Sequence, residues 1–324
     1  MAEGKRSHRQ LILKIAVSAG LMAFLLYKIS LPELAAAVRG LDRKLLIAAV
    51  SAFFLSNVLG AFQWHSLLRA DGVELGYVRA FRFYFVGLFF NNFLPANIGG
   101  DAVKVWDVSR YGGGVYQVIA VTLLDRIIGI FCLCLLATIS ALYLMSGGPL
   151  LPYGWYLVIF AGCMAPVLGL YFFKPLGNLV RAVVRRIRPL SIDTRMTSVL
   201  DHLGAFKGRK GLIVRLIGLS LVIQALRVST HILVGAALGL PIDTIVMCQF
   251  FVFIPLLSLA MIPPVTINGL GIREGLGILL FAEAGFSRTD AFTLEFLTYG
   301  VSVVVSLLGL AFFLSRRGRP SGGV

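Results

Sequence analysis

Two short segments of this chain place proline, glycine and charge inside apolar surroundings. The first reads Pro95-Ala-Asn-Ile98-Gly-Gly100-Asp-Ala-Val-Lys104 and the second Pro264-Val-Thr-Ile267-Asn-Gly269-Leu-Gly-Ile-Arg273. Proline withdraws a backbone donor and glycine loosens the chain, so each segment is expected to break a helix. Irregular backbone in hydrocarbon survives only where protein buries it or where it lines a watery cavity. The chemistry implied is recognition of a polar group at membrane depth. Half-helices beginning near Gly100 and Gly269 would turn their positive N-terminal ends toward such a cavity, which suits an anion. Lys104 and Arg273, one turn further on, would add full charge. The competing reading has the breaks merely kinking packed helices and these two side chains snorkelling to the interface.

Other charges also stand in apolar runs. Asp125 and Arg126 are adjacent, Arg227 has Gln224 and His231 about one turn to either side, and Glu274, Glu283 and Glu295 lie toward the C-terminus. An ionisable group at mid-membrane costs about 2.5–3.5 kcal/mol on insertion scales unless paired or hydrated, so each is a functional candidate. A structural ion pair, for instance Arg126 with Glu295, is the alternative, and His231 and Glu283 read as structural. In the functional reading Pro95, Gly99, Gly100, Pro264 and Gly269 shape the cavity. Lys104, Arg126, Arg227 and Arg273 contact phosphate. Asp101, Asp125 and Glu274 balance those charges or accept a cationic group.

Catalytic chemistry is weakly represented. No nucleophile–base pair stands out. Gly269-Leu-Gly271-Ile-Arg-Glu-Gly275 comes near a dinucleotide fingerprint, but its glycine spacing is wrong and no βαβ unit surrounds it. Gly271 and Gly275 form a GxxxG pattern, which suits close helix packing. The four histidines are scattered, which argues against a metal site. Cys132, Cys134, Cys163 and Cys248 all lie in apolar runs without ligand spacing and read as small packing residues. No cofactor is implied, and without a nucleotide-binding motif direct ATP hydrolysis is not expected.

The elements that must position these groups are membrane helices. Of 324 residues, 58% are apolar and 14% charged, against about a quarter charged in soluble domains, and the mean hydropathy is +0.88. Apolar runs reach the ~20 residues that cross a bilayer. The expected fold is an all-α polytopic membrane protein with six full spans and two broken, re-entrant helix pairs. The spans are 11–29, 45–67, 118–145, 155–173, 212–238 and 291–314. The long first run, without a clear small-residue cleavage site, reads as an uncleaved span. The broken pairs start from the runs 83–94 and 245–262, and a helix over 271–284 follows the second break.

The net charge of +15 fits cytoplasmic loops and anionic lipid rather than nucleic acid, for which no motif is present. The positive-inside rule places both termini, the 69–82 loop, the basic 174–211 loop and the arginine tail in the cytoplasm. The loops 146–154 and 239–243 fall outside, while Arg39, Arg43 and Lys44 make the 30–44 loop an exception. Within the 174–211 loop, Val180, Val183, Val184 and Ile187 have helical spacing opposite arginines, as in a surface-lying amphipathic helix. The two breaks also match each other. Pro95 and Pro264, Ile98 and Ile267, Gly100 and Gly269, and Lys104 and Arg273 each stand 169 positions apart. The same offset relates the flanking spans. The chain therefore reads as a single membrane domain with a first repeat over 11–145 and a second over 155–314. Three full spans per copy would invert the second copy in the membrane, the plan of many transporters.

Several motifs occur in a specific order: Trp64-His-Ser-Leu-Leu-Arg69, Gly87-Leu-Phe-Phe-Asn-Asn-Phe-Leu-Pro95, Gly99-Gly-Asp-Ala-Val-Lys104, Leu124-Asp-Arg-Ile-Ile-Gly129 and Asn268-Gly-Leu-Gly-Ile-Arg-Glu-Gly275. Together they resemble, over nearly the whole chain, the flippase-like transmembrane region of lysylphosphatidylglycerol synthases. The resemblance implies a lipid-translocating bundle with re-entrant helices, here as a stand-alone member without the synthase domain. It adds Asn92 and Asn268 to the candidate binding set; Asn268 departs from the glycine commoner in the family. The implied activity is non-enzymatic flipping or transport of a phospholipid or aminoacyl-phospholipid in a bacterial inner membrane. Glycolipid, polyprenyl-phosphate and hopanoid translocation are alternatives. So are a headgroup-modifying enzyme using Asp101, Asp125 or Glu274, and a scaffold for a membrane glycosyltransferase or synthase. The partners implied are an anionic membrane lipid and such an enzyme or a second copy of the chain.

Overall fold

The computed structural model describes residue 32 and residues 39–93, 99–147, 150–172, 192–263, 269 and 271–315. The first expected span, Pro95, Pro264, Asn268, the 180–187 amphipathic segment and the arginine tail lie outside the described residues. Among the described residues ten α-helices run in order: α1 Arg43–Ala70, α2 Tyr77–Phe93, α3 Gly99–Ser109, α4 Val115–Gly147, α5 Leu150–Phe172, α6 Ile192–Ala205, α7 Lys210–Ala237, α8 Thr244–Ala260, α9 Ile272–Ala282 and α10 Arg288–Leu314. No strand occurs among the described residues.

Length follows from composition. The helices α1, α4, α7 and α10 are long and apolar enough to cross a membrane; the 28 residues of α1 extend about 42 Å at 1.5 Å per residue. The 23-residue α5 stands at the expected fourth span. Helices α2 and α8 have 17 residues each, about 25 Å, and α3 and α9 have 11 each, about 16 Å or half a hydrocarbon core. The polar stretch after Gly100 is thus helical, with Asp101 in the first turn where the macrodipole favours a carboxylate. Large apolar side chains face outward, Ile47, Val214 and Leu279 among them, as a lipid solvent allows and water disfavours.

The described residues divide into two compact units. One comprises those within 1–55, 82–104 and 226–324. Here α8, α9 and α10 pack in sequence around Phe250, Phe253, Phe281 and Phe292, all fully buried; the Phe250 and Phe281 rings are 4.8 Å apart. Two glycines bring backbones together. A Cβ on Gly309 would strike the Phe85 carbonyl, and one on Gly277 would come 2.9 Å from Glu295 Cγ. Close packing of α9 on α10 therefore falls at Gly277. The GxxxG expectation is corrected for Gly275, which has open space where a side chain would stand.

The other unit comprises residues 56–81 and 105–225. In it α4 packs on α5 and α6. Trp64 is fully buried, and its indole N–H donates to Thr122 Oγ1 at 3.2 Å. One residue earlier, Gln63 Nε2 donates to Asp125 Oδ1 at 2.9 Å. Gln224 Nε2 donates to the Gly129 carbonyl at 3.1 Å. Polar side chains inside apolar helices thus bond across helices, since no water is there to satisfy them.

A candidate polar cavity in the first unit

A cavity of about 210 Å³ lies within the first unit, lined by Phe53, Leu88, Asn91, Asn92, His231, Ile254, Leu257, Ser258, Met261, Arg273, Glu295, Thr298 and Ser302. Its apolar wall comes from α1, α2 and α8; its ionisable groups come from α7, α9 and α10. Arg273 supplies the guanidinium. Its Nη2 donates to Glu274 Oε1 at 3.0 Å, and its Nε is 3.4 Å from Glu295 Oε2. The Tyr299 ring covers its other side, with the centroid 4.9 Å from Cζ. Both carboxylates are fully buried and Arg273 is 8% exposed.

The two carboxylates differ in how they are held. Glu274 Oε2 accepts the backbone N–H of Gly271 at 2.7 Å, so the helix start and the guanidinium both satisfy it. Gly271, at φ +84°, makes that turn possible, because a side chain would be strained there. Neither oxygen of Glu295 has a hydrogen-bond partner among the described residues. Beyond Arg273, Glu295 Oε2 faces His231 Nε2 at 3.8 Å, while His231 Nδ1 is 3.1 Å from the Arg227 carbonyl.

Below the ionic group runs a neutral polar ladder. Asn92 Nδ2 donates to Ser306 Oγ at 2.8 Å, Ser302 Oγ donates to Asn92 Oδ1 at 3.4 Å, and Tyr299 O–H donates to the Asn92 carbonyl at 3.4 Å. Glu295, Thr298, Ser302 and Ser306 recur every three or four residues, on one face of α10.

The first break is built differently. Gly100 packs so tightly on Gly87 that a Cβ would meet the Gly87 carbonyl. The Gly100 N–H donates to Asn91 Oδ1 at 2.8 Å. Lys104, 6% exposed, pairs with Asp101 at 2.7 Å and lies 5.0 Å from the Tyr84 centroid.

Asn92 and Arg273 thus line the cavity, and Glu274 is bound to Arg273 behind it. Lys104 and Asp101 neutralise each other outside the lining, and Gly99 and Gly100 begin the helix that carries that pair. Gly269, at φ +74°, takes a conformation in which a side chain would strike Met261. Arg227 is half-buried and contributes its carbonyl to His231. Asp125 and Arg126, both half-buried, belong to the other unit. The Gly100 and Gly271 N–H groups are already bonded to Asn91 and Glu274, since buried helix ends must satisfy their donors internally. His231, read as structural from sequence, and Glu295, a candidate whose alternative reading was an ion pair with Arg126, stand together at the cavity. Their signal was present: a carboxylate and a histidine in the middle of apolar helices. No cluster of three metal-ligating residues occurs among the described residues.

The comparisons with known proteins agree with this all-helical architecture. The family described as the lysylphosphatidylglycerol synthase TM region matches residues 11–309. A UPF0104 membrane protein of Methanothermobacter thermautotrophicus is 22% identical over 300 residues, covering 86% of this chain and 87% of that protein. Another, from Pyrococcus horikoshii, is 26% identical over 108 residues, and that match spans about a third (32%) of each chain. With the match over 11–309, the chain belongs to the lysylphosphatidylglycerol synthase TM-region family and is a multi-pass membrane protein.

Proposed function

We propose that the protein translocates a membrane lipid with an anionic, phosphate-bearing headgroup, the headgroup passing through the Arg273 cavity while the tails stay in hydrocarbon. The observation that carries this reading is a buried guanidinium lining a polar cavity inside an apolar helical unit. Arginine offers a planar fork of donors matched to phosphate. A space of about 210 Å³ suits a headgroup. Alternating access would use the inverted repeat read from the sequence, and helix lengths support a repeat: α1 and α7 both have 28 residues, and the lengths of α2 and α3 recur in α8 and α9. The setting of this reading is the inner membrane of a bacterium, and both termini cytoplasmic is the orientation that the loop charges favour.

The test is leaflet exchange in liposomes. Wild-type protein should speed exchange of tail-labelled phosphatidylglycerol well above protein-free liposomes, and Arg273→Ala should slow it at least tenfold. Exchange no faster than in empty liposomes for phospholipid, glycolipid and polyprenyl-phosphate alike would overturn the reading.

A further inference from the structure

The charge balance around Arg273 does not close. Arg273 contributes one positive charge, and Glu274 and Glu295 together contribute two negative charges when ionised, all within contact distance. The lining groups from α2 and α8 are neutral, namely Asn91, Asn92 and Ser258. The only other ionisable group in the described lining is His231 on α7. A backbone carbonyl can only accept, so His231 Nδ1 carries the hydrogen toward Arg227. Neutral His231 then presents its bare Nε2 lone pair to Glu295 Oε2, an acceptor facing an acceptor. Among the described residues both Glu295 oxygens are buried without a hydrogen bond, while Glu274 is satisfied twice over. One proton between Glu295 and His231 removes the excess charge and the lone-pair opposition together.

We propose that Glu295, backed by His231, is a proton-binding site whose occupation is linked to headgroup binding; this rests on the lipid-translocation reading above. With Glu295 ionised, the cluster carries a net negative charge that opposes an arriving phosphate, and Arg273 is held by two carboxylates. When Glu295 takes a proton from water, its carboxylate becomes a carboxylic acid and its hold on Arg273 Nε weakens. The guanidinium is then available to the phosphate, and the cluster is neutral before the anion enters. When the lipid departs, the proton leaves and Arg273 returns to Glu295. Glu274 keeps its bonds to the Gly271 N–H and to Arg273 throughout. The protein is thereby a lipid carrier that moves one proton with each anionic headgroup.

The experiment uses the purified full chain and dihexanoyl phosphatidylglycerol, a water-soluble phospholipid. Calorimetric titration in two buffers of different ionisation heat should show about one proton taken up per lipid bound, and affinity should fall about tenfold per pH unit once Glu295 is ionised in the free protein. Glu295→Gln, which mimics the protonated side chain, should bind with no proton uptake and with the same affinity across that range. Glu283→Gln, at an exposed carboxylate, should behave as wild type. Binding without proton uptake in the wild type, or proton uptake retained in Glu295→Gln, would overturn the linkage and leave the lipid reading standing. Infrared difference spectra of lipid-free protein separate the two ideas. A protonated-carboxyl stretch should titrate in the wild type and vanish in Glu295→Gln. Loss of that band together with no lipid binding by either protein would keep the proton site and defeat the lipid reading. A band unaffected by Glu295→Gln would overturn the proton site itself.

Discussion

At the scale of single residues, partner choice decides which charges are spent on the fold and which remain for function. Lys104 and Arg273 stand 169 positions apart at matching places after the two breaks, yet their surroundings differ. Lys104 has Asp101 three residues earlier on its own helix, and the pair closes locally. At the equivalent place before Arg273 stands Leu270, so Arg273 is paired with its neighbour Glu274 and with Glu295 on the next helix. That difference is legible in the sequence once the repeat is aligned. The identity of the distant carboxylate is not, because Arg126 and Arg273 are equally plausible partners for Glu295 until the helices pack. A second local pair makes a pH prediction. Asp71, just beyond α1, lies 3.0 Å from His202, and Gln117 Nε2 donates to its backbone carbonyl at 2.5 Å. Desolvation raises its carboxyl above the ordinary 3.8, and His202, Gln117 and Arg209 only partly offset the rise. An acid raised by folding binds its proton more tightly in the folded state. The resulting stabilisation is present below pH ~3.8 and is lost as pH climbs through the raised value. Thermal unfolding in detergent should therefore show Asp71→Asn gaining stability relative to wild type as pH rises above about 4. A constant difference between the two proteins from pH 4 to 8 would contradict this account.

At the scale of helices, apolar run length carried most of the information. Four expected spans reappear as α1, α4, α7 and α10 with ends shifted by a few residues, and α5 stands where a further one was expected, because a continuous apolar run in a bilayer has only the helix open to it. The short helices α2 and α8 were also legible, since their runs stop at proline and glycine. Close approach between helices was not, because it depends on which glycine meets which side chain. Gly275 fits the small-residue pattern and has open space, whereas Gly277 carries the contact with Glu295. Gly277→Ala should therefore destabilise the protein by about 1–3 kcal/mol, since α9 cannot move off α10 without uncovering Glu295. Gly275→Ala should leave stability unchanged or raise it by up to about 1 kcal/mol, from helix propensity alone. Unfolding of both variants side by side is the check, and equal shifts would show that the α9–α10 approach is not set at Gly277.

For the whole molecule, the repeat makes a demand that local structure does not. If the second copy is inverted, segments 169 positions apart must emerge on opposite faces of the membrane. The turn after α1, residues 71–76, corresponds to residues 240–245 at the start of α8, and the turn at 110–114 corresponds to residues 279–283, the last turn of α9. Loop charge favours the cytoplasm for the first member of the first pair and the outside for the second, and inversion asks the same of the other pair. Single cysteines can report this, because the native Cys132 and Cys134 are buried and Cys163 and Cys248 partly so. At Glu74, Gly114, Pro241 and Arg288 the side chains are exposed or the position is open to solvent. A membrane-impermeant maleimide added to intact cells should label Pro241→Cys and Arg288→Cys and spare Glu74→Cys and Gly114→Cys; inside-out vesicles should reverse the pattern. Labelling of Glu74→Cys and Pro241→Cys from the same side would make the copies parallel. The alternating access proposed for the Arg273 cavity would then lose its symmetry argument, while the charge cluster at Glu295 would remain to be explained on other grounds.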